Sequence, residues 1–386
     1  PEEIDNPHCS ICGQTPIKKT TSHYFFKLKN FSDSLLDYLT HSPHLQKDVK
    51  KYVENWIKEG LVDWDITRDI SWGVPIPIEG LKDKVFYGWF DNHLAYISST
   101  IKFLNDKKID GKNFWNEADI YHFIGKDIVY HHYLFLPAMR LGIDKEFKLP
   151  DYIPTRGHLT LEGKKISKSR NWYIGLKDFL EKFPADYLRF YLVSINPYSQ
   201  DDLNFDWEQF STKINSELIG NLGNLVNRVL GFTNKAFDGI VPEPEKFDEK
   251  DSESEQKIKS LAEDVGKLMQ ENHLDRALKQ LMEFSAHFNQ YFQHKEPWKK
   301  GPGTNTCIYL SANAVRSLSI CLHSFLPTSS QKIWSQLGLN GNVSDINWNE
   351  MSNLALKSGH KIGTVEPIFS KIEQSIIEEE QSKLGN

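Results

Sequence analysis

The chain has 386 residues, 39% hydrophobic and 25% charged, with 10 Trp, 15 Tyr and 23 Phe, which is core material for two or three domains. A formal net charge of −6 excludes a uniformly basic nucleic-acid coat but leaves room for a local basic patch. No run approaches the length of apolar sequence needed to cross a bilayer, so no membrane partner is expected.

The sequence opens PEEIDNPHC, without Met, and is expected to be an internal stretch of a longer protein. Four cysteines (Cys9, Cys12, Cys307, Cys321) are too few for a disulfide scaffold, which favours a reducing, cytoplasmic setting. Residues 1–22 read as a small loop-rich module, and HYFFKL at 23–28 as a short strand. Phe31, Leu35, Leu36 and Leu39, then Val49, Val53, Trp56 and Ile57, recur at helical spacing, and Gly60 stops the second helix. Short apolar runs at 85–90 and 120–125 then alternate with helical stretches at 93–104 and 129–141, a pattern that predicts parallel pairing in an α/β sheet. Gly125-Lys126-Asp127 falls after a strand and before a helix, where such sheets bind ligands.

Residues 151–175 are short extended pieces and turns. Beyond 176 the chain is predicted helical almost throughout. Ile214, Leu218, Leu222, Leu225 and Val229 mark one helix face. The acidic, Pro-containing stretch 241–256 reads as a solvated linker, and helices return at 257–294 and 305–325, giving an antiparallel bundle.

Within GKKISKSRNW at 163–172, Lys164, Lys165, Lys168 and Arg170 are offset only by Glu162. There are no Walker glycines, so this is not a P-loop. Two readings remain: a solvated turn, or a clamp whose lysine charges neutralise a departing pyrophosphate.

Lys165-Ile166-Ser167-Lys168-Ser169 resembles the KMSKS signature of class I aminoacyl-tRNA synthetases. With WDITRDISWGVPIP at 64–77, VFYGWFD at 85–91, YHFIGKDIVYHH at 121–132, FPADYLRFYL at 183–192, NLGNLVNRVLGFTNKAFDG at 221–239 and KEPW at 295–298, the ordered set resembles the methionyl-tRNA synthetases, in their archaeal and eukaryotic-type branch. The resemblance implies ATP-dependent activation of methionine and its transfer to tRNA-Met. Lys165 and Lys168 would bind the triphosphate and stabilise the leaving pyrophosphate. Gly125 and Asp127 would contact the ribose and the reacting region, the Leu159 backbone would lie near the adenine, and Mg²⁺ would accompany ATP.

The family's amino-acid pocket takes its walls from W-x-D-A-P-I-G-Y and from the helix after G-K-D. Here Trp89, Asp91, Tyr96, Ile128 and His132 match, whereas Asn92 and His93 replace Ala-Pro and Leu136 replaces Trp. Polar groups at such positions need partners, so the pocket is either reshaped or less selective for methionine. Core packing is the alternative role for each aromatic.

The family pairs its lysine signature with a His-x-Gly-His motif, which is absent before residue 163 and is expected upstream of residue 1, in a preceding portion or a separate chain. Without it the ATP site is half built and this chain alone is expected to be inactive. Cys9-Ser-Ile-Cys12 has the spacing of one zinc knuckle, for which His8 or His23 could supply further ligands; Zn²⁺ is thus a possible cofactor. Cys307 and Cys321 read as core thiols.

Asn221, Asn224 and Arg228 share a face distinct from the leucine stripe, and such side chains read base edges; Pro297-Trp298 offers a ring for stacking. Helix capping and core packing compete with that reading. The resemblance assigns Asn224, Arg228, Pro297 and Trp298 to the anticodon.

The expected fold class is α/β plus all-α: the second half of a class I Rossmann-like nucleotide-binding domain, then a helical-bundle anticodon-binding domain. Residues 1–29 would be the remnant of a knuckle-bearing insertion, 30–150 the Rossmann-like half, 151–210 the KMSKS and stem-contact region, and 211–386 the bundle. The competing function is a non-catalytic, synthetase-derived module that binds tRNA or protein.

Overall fold

The computed structural model describes residues 7–9, 12–17, 19–79, 81, 83–143 and 146–385. The rest of the 1–29 module lies outside the described residues. The chain divides into two compact units, Pro1–Thr155 and Arg156–Asn386.

In the first unit, β1 (Phe25–Phe26) leads into α1 (Ser32–His41) and α2 (Lys47–Glu59). Leu35, Leu39, Val49, Val53 and Ile57 are buried together, as their spacing requires. Gly60, at φ +107°, ends α2 in a backbone conformation that residues with a Cβ avoid. Two antiparallel ladders follow. β1 pairs with β2 (Trp64–Asp65), and β3 (Thr67–Arg68) pairs with β4 (Val85–Phe86). The run 85–90 is therefore not one strand. Helix α3 (Gly88–Asp106) begins inside it, because the helical period of Trp89, His93 and Ile97 extends back to that point and Asp91 favours the first turn.

After α4 (Gly111–Glu117), residues 120–125 reach β5 (Ile124–Gly125) and run parallel to 151–155. His122 N–H donates to the Tyr152 carbonyl (2.9 Å) and Ile124 N–H to that of Pro154 (3.0 Å). The expected parallel α/β pairing is thus present as a narrow ribbon. The helix that follows is irregular, with a 3₁₀ turn at Lys126–Ile128 and a π-helical turn at His131–Phe135 before α5 (Leu136–Ile143). Strand β6 (Thr155–Arg156) ends this stretch of chain.

The second unit opens with a hairpin. β7 (Leu159–Leu161) is antiparallel to β8 (Lys164–Lys165) and parallel to β9 (Leu203–Phe205). Helices α6 (Leu176–Lys182) and α7 (Ala185–Ser194) lie between. Then α8 (Trp207–Lys213) runs without a break through a π-helical segment, Ile214–Gly223, into α9 (Asn224–Ala236). Ile214, Leu218, Leu222, Leu225 and Val229 are all fully buried, so the stripe read from sequence is the core face.

The stretch 241–256 is not wholly a linker, since α10 (Glu249–Gln270) starts within it. Asp248 caps that helix. Its side chain accepts from Asp251 N–H while the Asp251 carboxylate accepts from Asp248 N–H, closing a capping box. Lys295 lies 2.6 Å from each carboxylate, and its positive charge together with the N-terminus of α10 offsets the pair, which helps an acidic segment fold against the bundle. α11 (Leu274–Lys295), α12 (Thr304–Leu322), α13 (Pro327–Gln336) and α14 (Gln374–Ser382) complete the unit around a single core.

Candidate functional site

Three groupings hold the residues singled out from sequence. The first is the lysine hairpin. Glu162 (φ +48°) and Gly163 (φ +72°) form the two-residue turn between β7 and β8, both with the positive φ of a type I′ hairpin. A second turn follows at once. Ser167 and Trp172 exchange both backbone hydrogen bonds (2.8 and 2.9 Å) around the Lys168–Arg170 3₁₀ turn, which Asn171 closes at φ +48°. The indole N–H of Trp172 donates to the Leu161 carbonyl (2.8 Å), pinning the turn to β7, and Lys164 Nζ sits 4.1 Å over the indole ring. Lys165 and Lys168 are exposed, and no carboxylate pairs with them among the described residues. Leu159 is the first residue of β7. The stretch that reads from sequence as a solvated turn or a clamp is a doubly hydrogen-bonded turn presenting two exposed ammonium groups.

The second grouping lies in the first unit, on α3 and the irregular helix after β5. Trp89, His93 and Tyr96 share one face of α3. Tyr96 Oη lies 3.1 Å from His132 Nε2, and His132 Nδ1 lies 3.0 Å from the Ile128 carbonyl. A carbonyl only accepts, so Nδ1 carries the proton and Nε2 accepts from the tyrosine. The His93 ring stacks on His131 (5.3 Å) and lies 5.4 Å from His132; Trp89 packs on His131 at 4.9 Å. His122 joins through Tyr96 (4.6 Å) and His132 (5.6 Å).

Burial, the main cause, lowers all four imidazoles, and repulsion from neighbouring rings adds to it for His93, His122 and His131; His93 and His122 are pushed down to about 4. Near pH 7 the cluster is a set of neutral imidazoles. The departures from the family pattern separate here, for His93 is in the cluster while Asn92 is exposed on the next face. Leu136 is buried one helical turn beyond His132. His122 and His131 were missed; both stand in YHFIGKDIVYHH, of whose histidines only His132 was singled out. At the strand end, a Cβ on Gly125 would come within 2.5 Å of Asp127 Oδ1, so the carboxylate folds back over the glycine backbone. Beside Tyr96 and His122 a cavity of about 410 Å³ opens, lined also by Phe114, Tyr121 and Phe123.

The third grouping is on the bundle. Asn224 Nδ2 donates to Asn289 Oδ1 (2.9 Å), Arg228 Nη1 donates to the Asn289 carbonyl (3.3 Å), and Asn289 Nδ2 donates to Asn221 Oδ1 (3.1 Å). These side chains line an open groove of about 730 Å³ with Gln290, Gln293 and His294. Trp298, 44% exposed, follows Pro297 in a 3₁₀ turn. Its ring lies 6.4 Å from that of Phe292, over which the Arg228 guanidinium also sits (5.7 Å). The α11 residues were missed, though Asn289/Gln293 and Gln290/His294 repeat at four-residue spacing on one face.

Cys9 and Cys12 are exposed thiols on a turn in which Gly13 N–H donates to the Cys9 carbonyl. Among the described residues no group of three or more His, Cys, Asp or Glu side chains could hold a metal ion, whereas structural zinc takes four ligands.

A family model described as tRNA synthetases class I (M) matches residues 1–230, and one described as anticodon-binding domain of tRNA ligase matches residues 251–382. The methionine–tRNA ligase of Methanopyrus kandleri is 40% identical, over 100% of this chain and 57% of its own length. That of Methanosphaera stadtmanae is 38% identical over 100% and 58%. The chain therefore spans a little over half the length of these curated relatives. A solved structure of Mycobacterium tuberculosis methionyl-tRNA synthetase in complex with methionyl-adenylate superposes with a TM-score of 0.81 at 28% identity, covering 94% of this chain and 71% of that one.

Proposed function

Because this chain belongs to the methionyl family of class I tRNA synthetases, we propose that it carries the lysine-loop half of the activation site and the anticodon reader of a methionine–tRNA ligase. The observation that bears most weight is the ordered lysine turn, where Lys165 and Lys168 stand exposed and unpaired among the described residues. Two fixed cations suit the charge that builds on pyrophosphate as the adenylate forms. On this reading Gly125 and Asp127 contact the ribose and the Leu159 backbone the adenine. Mg²⁺ would ride on the ATP phosphates, since the described residues gather no carboxylate cluster for it. A wall of Trp89, His93, Tyr96, Ile128 and His132, with Leu136 behind, would hold the amino acid. Its neutral imidazoles offer no countercharge, which favours an uncharged side chain such as a thioether over an acidic or basic one.

The His-x-Gly-His motif that the family closes against its lysine signature does not occur within residues 1–386. We take it to come from polypeptide outside this sequence, covalently joined or separate. The edge of the 120–125 strand supports this. His122 and Ile124 bond to the 151–155 side, which turns the backbone groups of Tyr121 and Phe123 toward the opposite edge, beside the aromatic cavity. Phe123 is 60% exposed there, as expected of a surface that another strand covers. Zn²⁺ at Cys9 and Cys12 would need ligands from the same source. A cytoplasmic setting follows from the reading, and no helix among the described residues is long and apolar enough to cross a membrane.

Asn92-His93, in place of Ala-Pro, favours a second reading: a non-catalytic module derived from a synthetase. Methionine-dependent ATP–pyrophosphate exchange separates the two. The proposal expects negligible exchange by this chain alone and exchange once the His-x-Gly-His portion is supplied. Exchange by the chain alone at ordinary synthetase rates would refute the half-site reading, and a silent completed protein would favour the non-catalytic module.

A further inference from the structure

One ring of the imidazole cluster has nothing to bond to. His132 is fully engaged, with Nδ1 donating to the Ile128 carbonyl and Nε2 accepting from Tyr96 Oη. His93 is only 2% exposed, yet neither of its ring nitrogens has a hydrogen-bond partner among the described residues. The ring closest to it offers none. His131 stacks on His93 with 28° between the planes, so that faces meet rather than nitrogens, and its own Nδ1 is also buried without a partner. A buried polar group left in this way is costly, and a ligand that meets it is favoured. Because no bond fixes the His93 tautomer, either nitrogen can carry the hydrogen that faces such a ligand.

The position of His93 suits that task. It stands one helical turn from both Trp89 and Tyr96 on the face of α3 that belongs to the proposed amino-acid wall. Trp89 and His131 lie over it, with ring centroids 6.4 and 5.3 Å away, and Trp89 is 41% exposed. What covers His93 there is side chain, which can turn aside. The family pattern has proline at this position, which brings no side-chain donor; here the residue is a neutral imidazole.

We propose that His93 reads the heteroatom of the amino-acid side chain: its ring N–H donates to the thioether sulfur of methionine and thereby discriminates against norleucine, which has a methylene in place of that sulfur. The inference rests on the amino-acid wall proposed above. An apolar wall separates near-isosteres poorly, whereas a buried donor that one of them leaves unmet adds a penalty to that one alone.

The test is ATP–pyrophosphate exchange by the completed protein with methionine and with norleucine, read as the ratio of the two kcat/KM values. The unaltered protein is expected to prefer methionine by about a hundredfold or more, beyond what packing against a methylene usually yields. His93→Phe keeps a ring but no donor and is expected to lower the ratio about tenfold, the loss of one weak hydrogen bond. His93→Gln keeps an N–H and is expected to retain most of the ratio. General damage to the fold lowers both activities together and leaves the ratio where it was. A ratio unchanged in His93→Phe, or lowered as far in His93→Gln, overturns the role of His93, and so does an unaltered protein that uses the two amino acids about equally. No exchange by the unaltered completed protein with either amino acid refutes instead the half-site reading beneath it.

Discussion

At the scale of single residues, the imidazole cluster makes stability depend on pH. His93 and His122 are held neutral by burial, down to about 4 against an ordinary value near 6.5. The unfolded chain therefore takes up protons first. The stability owed to keeping these rings neutral is complete above about pH 6.5 and is lost as pH falls toward about 4. Urea midpoints measured across pH 7 to 4 should fall through that window, and in His93→Phe the fall should be shallower. A flat profile would show that the rings are not buried as described. Lys168→Ala should weaken triphosphate binding without moving the urea midpoint, because the ammonium is exposed and pairs with nothing among the described residues. Calorimetric titration with ATP on the completed protein checks it. Trp298→Ala should weaken a CAU stem-loop by about 1–3 kcal/mol, the usual loss of one stacked base, as read by fluorescence anisotropy.

At the scale of elements, apolar periodicity was legible wherever a helix faced the core. The stripe from Ile214 to Val229 is buried throughout, and Gly60 ends α2 as expected. The misses share a physical cause. Residues 249–256 look like a solvated linker until Lys295, far along the chain, bridges the two capping carboxylates. Residues 88–90 have the composition of a strand but belong to a helix whose period begins there. In both, a tertiary or longer-range pattern overrides local composition. Asp248→Ala should accordingly lower stability by about 1–2 kcal/mol in urea unfolding, the loss of a strong N-cap. Gly163→Ala should lower it by about 1 kcal/mol: space around the position is open, so only the positive φ of the turn opposes a side chain.

At the scale of the whole molecule, the family is legible in the ordered motifs alone, because each names a residue type at a fixed place in the chain. The motifs do not convey how the sites are supported. Asn289, which bonds to three of the base-reading candidates' side chains, and the segment 369–385, which bonds to Asn215 and Asn171, lie in stretches with no signature of their own. His131 and His122 stand within a quoted motif, yet their clustering depends on the π-helical turn at 131–135, which periodicity does not show. The two units also differ in finish. The second encloses one continuous core around its bundle, whereas the first leaves Phe103, Phe114, Tyr121 and Phe123 exposed, the last three lining the cavity beside the 120–125 strand. The most direct measurement on the chain itself is equilibrium binding of a CAU anticodon stem-loop beside one altered at a single anticodon base. Saturable binding of the first, with the second weaker by about tenfold or more, is the predicted result. Equal affinity for both, or no saturable binding, would contradict the reading of this chain as an anticodon-recognising part of a methionine–tRNA ligase.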